Sequence, residues 1–218
     1  MPSEIDVAEL SGYFVLQTPI NKRGIKMSFH AYRTKPFEHT HENRAFNDLY
    51  VLLEQRYAKE TEPVYLLGNV YANNTEIDAV VLKCNAVIVI DFKNYGGEIH
   101  FSENGVWKAD DVPVKGGAQV NPYLQLRANR LEMLEYLKDI TFSMNPKNHV
   151  VCLCLFQQNI QFDIQTLPPK IKPWFHVQDY RNAIRNIDEI TNKNTRFTEQ
   201  DLNLIIKKLE IPAYRLEG

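Results

Sequence analysis

No stretch of this 218-residue chain approaches the ~20 consecutive apolar residues of a membrane-spanning helix, so no such span is expected. A large excess of either charge is also missing, the formal net charge being -2. The chain as a whole therefore offers no general attraction to a polyanion, and a nucleic-acid partner requires a local basic cleft. Cysteine is scarce and odd in number, at three, and Cys152 and Cys154 alternate within one apolar run without zinc-ligand spacing. Reduced, buried thiols are the expectation. The opening MPSEIDVAELSG is acidic where a secretory leader is basic and then apolar, which points to a cytoplasmic protein. Internal repeats and low-complexity tracts are lacking as well.

An apolar fraction of 44% supplies a substantial core, and at this length one domain accounts for the chain. Residues 1–36 read as a lead-in packed on that core, with a candidate strand in GYFVLQTPI and a basic turn in NKRGIK. Residues 37–160 read as the core unit and 161–218 as a helical extension of the same domain. Pro36 breaks the chain ahead of a helix, ENRAFNDLYVLLEQRYAKE, that Thr40 is placed to cap. PVYLLGNVY reads as a strand, EIDAVVL and AVIVIDFK as a hairpin around KCN, and GEIHFSENGVWKAD as a second hairpin turning at Asn104–Gly105. NPYLQLRANRLEMLEYLKDI is a second helix, with Pro122 in its first turn and Leu124, Met133, Leu134 and Leu137 toward the core. The apolar strand HVVCLCLF follows. Beyond the proline-rich TLPPKIKPW come the short segment FHV, a helix near 179–190 and a last helix, TEQDLNLIIKKLE. This order predicts an α/β fold, a mixed sheet flanked by helices.

The run Ala86–Ile90 suits a strand buried on both faces, yet it ends in Asp91 and Lys93, which alternation puts on one side. If the hairpin connection spans Lys83 to Ala86, Leu82 opposes Val87 and Asp78 lies directly opposite Asp91, with Cβ atoms roughly 4.5–5.5 Å apart. A three-residue connection turns Asp78 to the other face unless a bulge corrects it. Two carboxylates that close repel each other and are costly to desolvate, so a cation has to compensate: Lys93, a metal ion, or both. The competing reading is a plain ion pair at the strand's wet end. Glu42 strengthens the first reading, because it heads the apolar stripe Ala45, Phe46, Leu49 and Leu53. An acid there either offsets the helix dipole or aims at the sheet. Acids from a helix and two strands, with a lysine, suggest a divalent-cation site, and hard oxygen ligands suit Mg²⁺ or Mn²⁺.

The ordered set Glu42, Glu76-Ile77-Asp78 and Asp91-Phe92-Lys93-Asn94-Tyr95-Gly96-Gly97 resembles the nuclease-related domain (NERD) family, part of the PD-(D/E)xK nuclease superfamily. Trp107, the Asn121-Pro122 pair with Gln125, and the strand near 150–156 extend the likeness over roughly residues 40–160. Asp91 stands where most relatives carry Glu, and the superfamily accepts either acid. The resemblance implies a restriction-endonuclease-like core and metal-dependent hydrolysis of DNA, in DNA processing or in defence against foreign DNA. It implies Mg²⁺ or Mn²⁺ held by Asp78 and Asp91, with the Phe92 backbone carbonyl as a further ligand and Glu42 completing the acidic shell directly or through water. Lys93 then positions or deprotonates the attacking water, and Gln125 orients water or substrate. RNA remains open as a substrate, and a helicase or other ATPase is the implied protein partner. The alternative is a weakly active or inactive nucleic-acid-binding module working with such a partner.

Arg127 and Arg130 on the second helix, with Lys22, Arg23 and Lys26, are candidate phosphate contacts, each weighed against an ordinary solvated charge. His39 and His41 in HTHE do not share a helical face, which argues against a metal pair. Ser102 and Ser143 have no adjacent base, and the sequon at Asn73 carries no meaning without a secretory leader. Trp107 and Trp174 read as packing aromatics rather than base-stacking platforms. Gly96 and Gly97 allow either a tight turn or close approach to a phosphate.

Overall fold

The computed structural model describes residues 28–73, 75–140 and 149–216. GYFVLQTPI, NKRGIK, Lys22, Arg23, Lys26 and Ser143 lie outside these residues.

In chain order the elements are β1 (Phe29–Arg33), α1 (Thr40–Tyr57), β2 (Val64–Ala72), β3 (Thr75–Lys83), β4 (Ala86–Lys93), β5 (Gly97–His100), β6 (Trp107–Ala109) and β7 (Val112–Val114). There follow α2 (Pro122–Leu137), β8 (Val150–Phe156), β9 (Ile160–Gln161), β10 (Phe175–Asp179), α3 (Ala183–Glu189) and α4 (Glu199–Leu209). Six strands form the main sheet in the order β1-β2-β3-β4-β8-β10, and β7-β6-β5-β9 form a smaller one. The main sheet is mixed: β2, β3 and β4 are antiparallel neighbours, while β1, β8 and β10 run parallel to theirs. This is the expected α/β architecture, consistent with a restriction-endonuclease-like core.

The central strands β4 and β8 are buried along their whole length. Helices cover both faces, which is why these strands read as continuous apolar runs. On one face Ala45, Phe46, Leu49 and Leu53 of α1 pack with Ile88, Ile90 and Phe92, joined by Ala183 and Ile187 of α3. On the other, Leu126, Met133 and Leu137 of α2 and Leu202, Ile205 and Ile206 of α4 pack with Val87, Val89, Cys152 and Cys154. The cysteines are buried and free, as expected. Leu124 and Leu134, expected in the buried face of α2, are only partly buried, and Tyr123 and Leu126 take the inner positions.

The caps differ in one respect from expectation. His39, not Thr40, occupies the cap position of α1, and no side chain caps that helix. The Asn43 side chain instead ties down the entry by bonding the backbone N–H and C=O of Phe37. Asn121 caps α2, accepting Leu124 N–H at 2.8 Å, with Pro122 following it. The second hairpin forms between β5 and β6, with Asn104–Gly105 inside the connection, and β7 adds a strand the pattern did not show. Residues beyond 160 supply β10 as well as helices.

The β3–β4 hairpin has the register of the longer connection, Lys83 opposing Ala86 and Leu82 opposing Val87. The ladder stops at Ala79 and Ile90. At the same level β2 and β3 change phase together. Tyr65, Leu67, Val80 and Leu82 face the α2 side, and so do Val70 and Ile77, although strict alternation would turn the last pair away. The switch occurs at Gly68–Asn69 and Asp78: Asn69 has φ +52°, and the β2–β3 pairing passes from Gly68–Ala79 to Val70–Ile77. Gly68 is needed there because a Cβ would lie 2.4 Å from the Phe46 ring. Thr34 accommodates the kink, its N–H donating to Gly68 O at 3.3 Å and its hydroxyl to Asn69 O.

Candidate active site

The cleft lies where β3 parts from β4. Asp78 does not stand across the ladder from Asp91 as expected, because the phase change turns it to the strand edge. There its Oδ2 accepts the Phe92 N–H at 2.7 Å. Asp91 keeps the α2-side face of β4 and is 2% exposed. Its Oδ1 accepts a hydrogen bond from Lys93 Nζ at 2.8 Å. Oδ2 is equally close to the ammonium, at 2.8 Å, so Lys93 sits against both carboxylate oxygens. Lys93 also approaches Gln125 Oε1, at 3.5 Å.

Burial, then the charge of Asp91, hold the Asp78 carboxyl well above its usual range. Burial likewise raises Asp91, and Lys93 pulls it back. Burial by itself lowers Lys93, but Asp91 and its hydrogen bond outweigh this and raise it to about 12. Lys93 is therefore an ammonium at neutral pH. With Lys93 paired to Asp91, Asp78 holds its proton more tightly than a free carboxyl does.

The Phe92 carbonyl faces the same gap. In a strand the N–H and C=O of one residue share an edge, and the Phe92 N–H points to β3. The next carbonyl, of Lys93, points the other way and accepts Gln157 N–H at 2.9 Å. Since the β3–β4 ladder has already ended, the Phe92 carbonyl is not consumed by it.

Glu42 arrives from the opposite face, at the head of α1, and lines the same cleft of about 490 Å³. Its charge adds to the upward pull on Asp78. Among the described residues no group of three or more His, Cys, Asp or Glu side chains is placed to hold a metal ion. Gln125, one turn into α2, faces Lys93 from above. Gly117 borders it with φ +59°, and a Cβ there would press on the Gln125 amide at 3.1 Å.

The proposed arginines are not brought to this place. Arg130 Nε donates to Val150 O at 2.7 Å and its guanidinium lies 4.9 Å from the Trp174 ring centre, at the other end of β8 from the acid pair. Arg127 is exposed, two residues from Gln125 and so about 200° around the helix, near Tyr123 and Lys170. Sequence reasoning missed Tyr95 and Lys115, which line the cleft, and set aside His39 and His41, which line it too. The histidines stack on each other with ring centres 5.5 Å apart. The signal for Lys115 was the Lys-Gly-Gly turn before Asn121, but nothing local says which way that turn folds.

The family model for the nuclease-related domain matches residues 38–157, which span α1 through β8 and hold every residue of this cleft. The chain belongs to the nuclease-related domain family. No curated protein and no solved structure matches it. Among the described residues no helix is long and apolar enough to cross a membrane.

Proposed function

We propose that this NERD protein is a Mg²⁺- or Mn²⁺-dependent nuclease that hydrolyses DNA phosphodiester bonds at the Asp78–Asp91–Lys93 centre. The observation that carries the reading is the juxtaposed aspartate pair, whose mutual repulsion helps to raise Asp78, with the Lys93 ammonium held against Asp91 at 2.8 Å. The donor set fits a hard divalent cation: Asp78, Asp91 and the Phe92 carbonyl would hold it, with Glu42 acting through water. When bound, the ion supplies a hydroxide at neutral pH and neutralises charge developing on the phosphate. Lys93, fixed by Asp91 and permanently charged, orients the attacking water and donates to a phosphate oxygen. Gln125 holds the water or substrate against Lys93. Lys115, exposed at the cleft wall, meets the incoming phosphate. The choice of DNA, a role in DNA processing or defence against foreign DNA, and a helicase or other ATPase partner follow the family resemblance.

A second reading, a weak or inactive nucleic-acid-binding module, is favoured by the absence of a three-acid shell among the described residues. One experiment separates the two. The purified chain is incubated with circular, linear and single-stranded DNA and with RNA, with Mg²⁺ or Mn²⁺, and metal binding is followed by calorimetry. Metal-dependent DNA cleavage supports the nuclease. Salt-sensitive DNA binding with neither cleavage nor metal uptake supports the module.

A further inference from the structure

Behind the first turn of α1, a second depression of about 450 Å³ adjoins the cleft, and the two share His39, His41 and Asn94. Glu42 lines one and Arg44 the other, because residues two apart on a helix lie about 200° apart. The first turn of α1 is thus a wall with an acid on the metal side and a guanidinium on the far side.

We propose that this depression is a second phosphate subsite, holding the phosphodiester that neighbours the one at Asp78 and Asp91 on the same nucleic-acid strand. The proposal rests on the nuclease reading for the position of the strand, but not for the chemistry of the subsite. Arg44 is exposed and forms no ion pair among the described residues, so its guanidinium is available for the bidentate phosphate contact it suits. His39, His41, Asn94 and Gln157 provide donors around it. The floor is fixed: Gln157 donates to His41 O at 3.0 Å, and Gln158 to Asn94 Oδ1 at 3.3 Å. Glu38 also lines the depression, as the acid on its wall opposite in sign to Arg44. The open amino end of α1, which no side chain caps, adds partial positive charge to the same wall. Negative charge is therefore drawn to this side of the wall, while the acid pair on the other side calls for a cation.

The test uses the full chain in EDTA, where hydrolysis cannot interfere, and a fluorescently labelled single-stranded oligonucleotide. Anisotropy gives the dissociation constant as a function of salt for the native protein, Arg44→Gln, Arg44→Lys, the double variant His39→Gln/His41→Gln, and Lys172→Gln as a lysine lining neither depression. Loss of one phosphate contact lowers the slope of log K against log salt by about 0.7. The expected result is that drop in Arg44→Gln, with several-fold weaker binding, a native slope but weaker binding in Arg44→Lys, which keeps the charge and loses the bidentate contact, intermediate weakening in the histidine variant, and no change in Lys172→Gln. An unchanged slope in Arg44→Gln, or an equal loss in Lys172→Gln, overturns the subsite. Cleavage with Mn²⁺ is then measured separately. If the native protein cleaves nothing while the Arg44 effect on binding persists, the nuclease reading fails and the phosphate subsite stands.

Discussion

The Asp78 carboxylate accepts the backbone N–H of Phe92 at 2.7 Å, across the gap where β3 and β4 separate. This bond locks a side chain from one strand onto the backbone of the next, one residue beyond Asp91. It holds the two acids together although their strands are no longer laddered.

The first prediction concerns pH. The folded pKa of Asp78 lies above its unfolded value, so the native state keeps a proton that the unfolded chain has released. That contribution is fully present below the ordinary carboxylate range and is lost as pH rises through the raised folded value. In EDTA the thermal midpoint should therefore fall as pH rises above about 4, with respect to Asp78→Asn measured alongside. Mn²⁺ should raise the native midpoint, and more so at higher pH, because binding displaces the proton. A midpoint indifferent to Mn²⁺ at every pH would remove the metal from the reading.

Asp91→Asn and Asp78→Asn should each lower the cleavage rate by on the order of 10²-fold or more, with circular dichroism unchanged. Lys93→Ala should abolish cleavage and also weaken the fold, since removing one partner of a buried ion pair costs ~3–5 kcal/mol. The Lys93 cost should shrink in the double variant with Asp91→Asn, which leaves no charge behind. Cleavage retained by all three single variants would exclude the centre.

Glu42→Gln should act more gently. A group that touches the ion only through water contributes on the order of 10–100-fold in affinity or activity. Calorimetry should show weaker Mn²⁺ binding with an unchanged number of sites, whereas Asp91→Asn should remove binding altogether. Equal effects from the two would mean that Glu42 is a direct ligand.

Gly68→Ala tests the kink. The added methyl meets the Phe46 ring at 2.4 Å, and overpacking of this kind costs roughly 1–3 kcal/mol. Because Phe46 follows Glu42 by one helical turn, activity should fall beyond what the lost stability explains. Adding Phe46→Leu should recover part of both losses, a coupling that denaturant titration of the double-mutant cycle measures.

Arg130→Ala distinguishes packing from recognition. Losing the Val150 carbonyl bond and the contact over Trp174 should cost ~1–3 kcal/mol. The salt slope of DNA binding should stay as it is. A reduced slope would return Arg130 to the nucleic-acid surface.

Much of this molecule is written locally. The unbroken apolar runs of β4 and β8 require cover on both faces, and the stripe from Ala45 to Leu53 supplies it on one of them; periodicity alone reveals both. The two-residue hairpin at Cys84–Asn85 fixes the register that brings Asp78 level with Asp91, and alternation fixes Asp91 and Lys93 on one side of β4. Asn121 before Pro122 announces the start of α2, and thus the place of Gln125. The tertiary structure decided the rest. Whether Asp78 faces Asp91 or turns to Phe92 depends on a left-handed residue in a different strand, Asn69, and on the Phe46 ring above Gly68; neither is a neighbour in sequence. Arg130 shows the same limit, since its partner carbonyl lies 20 residues on and its ring partner 44. Local propensity sets which side chains an element presents. Where two elements part, and what fills the gap, is set by packing between residues far apart in the chain, and there no periodicity records it.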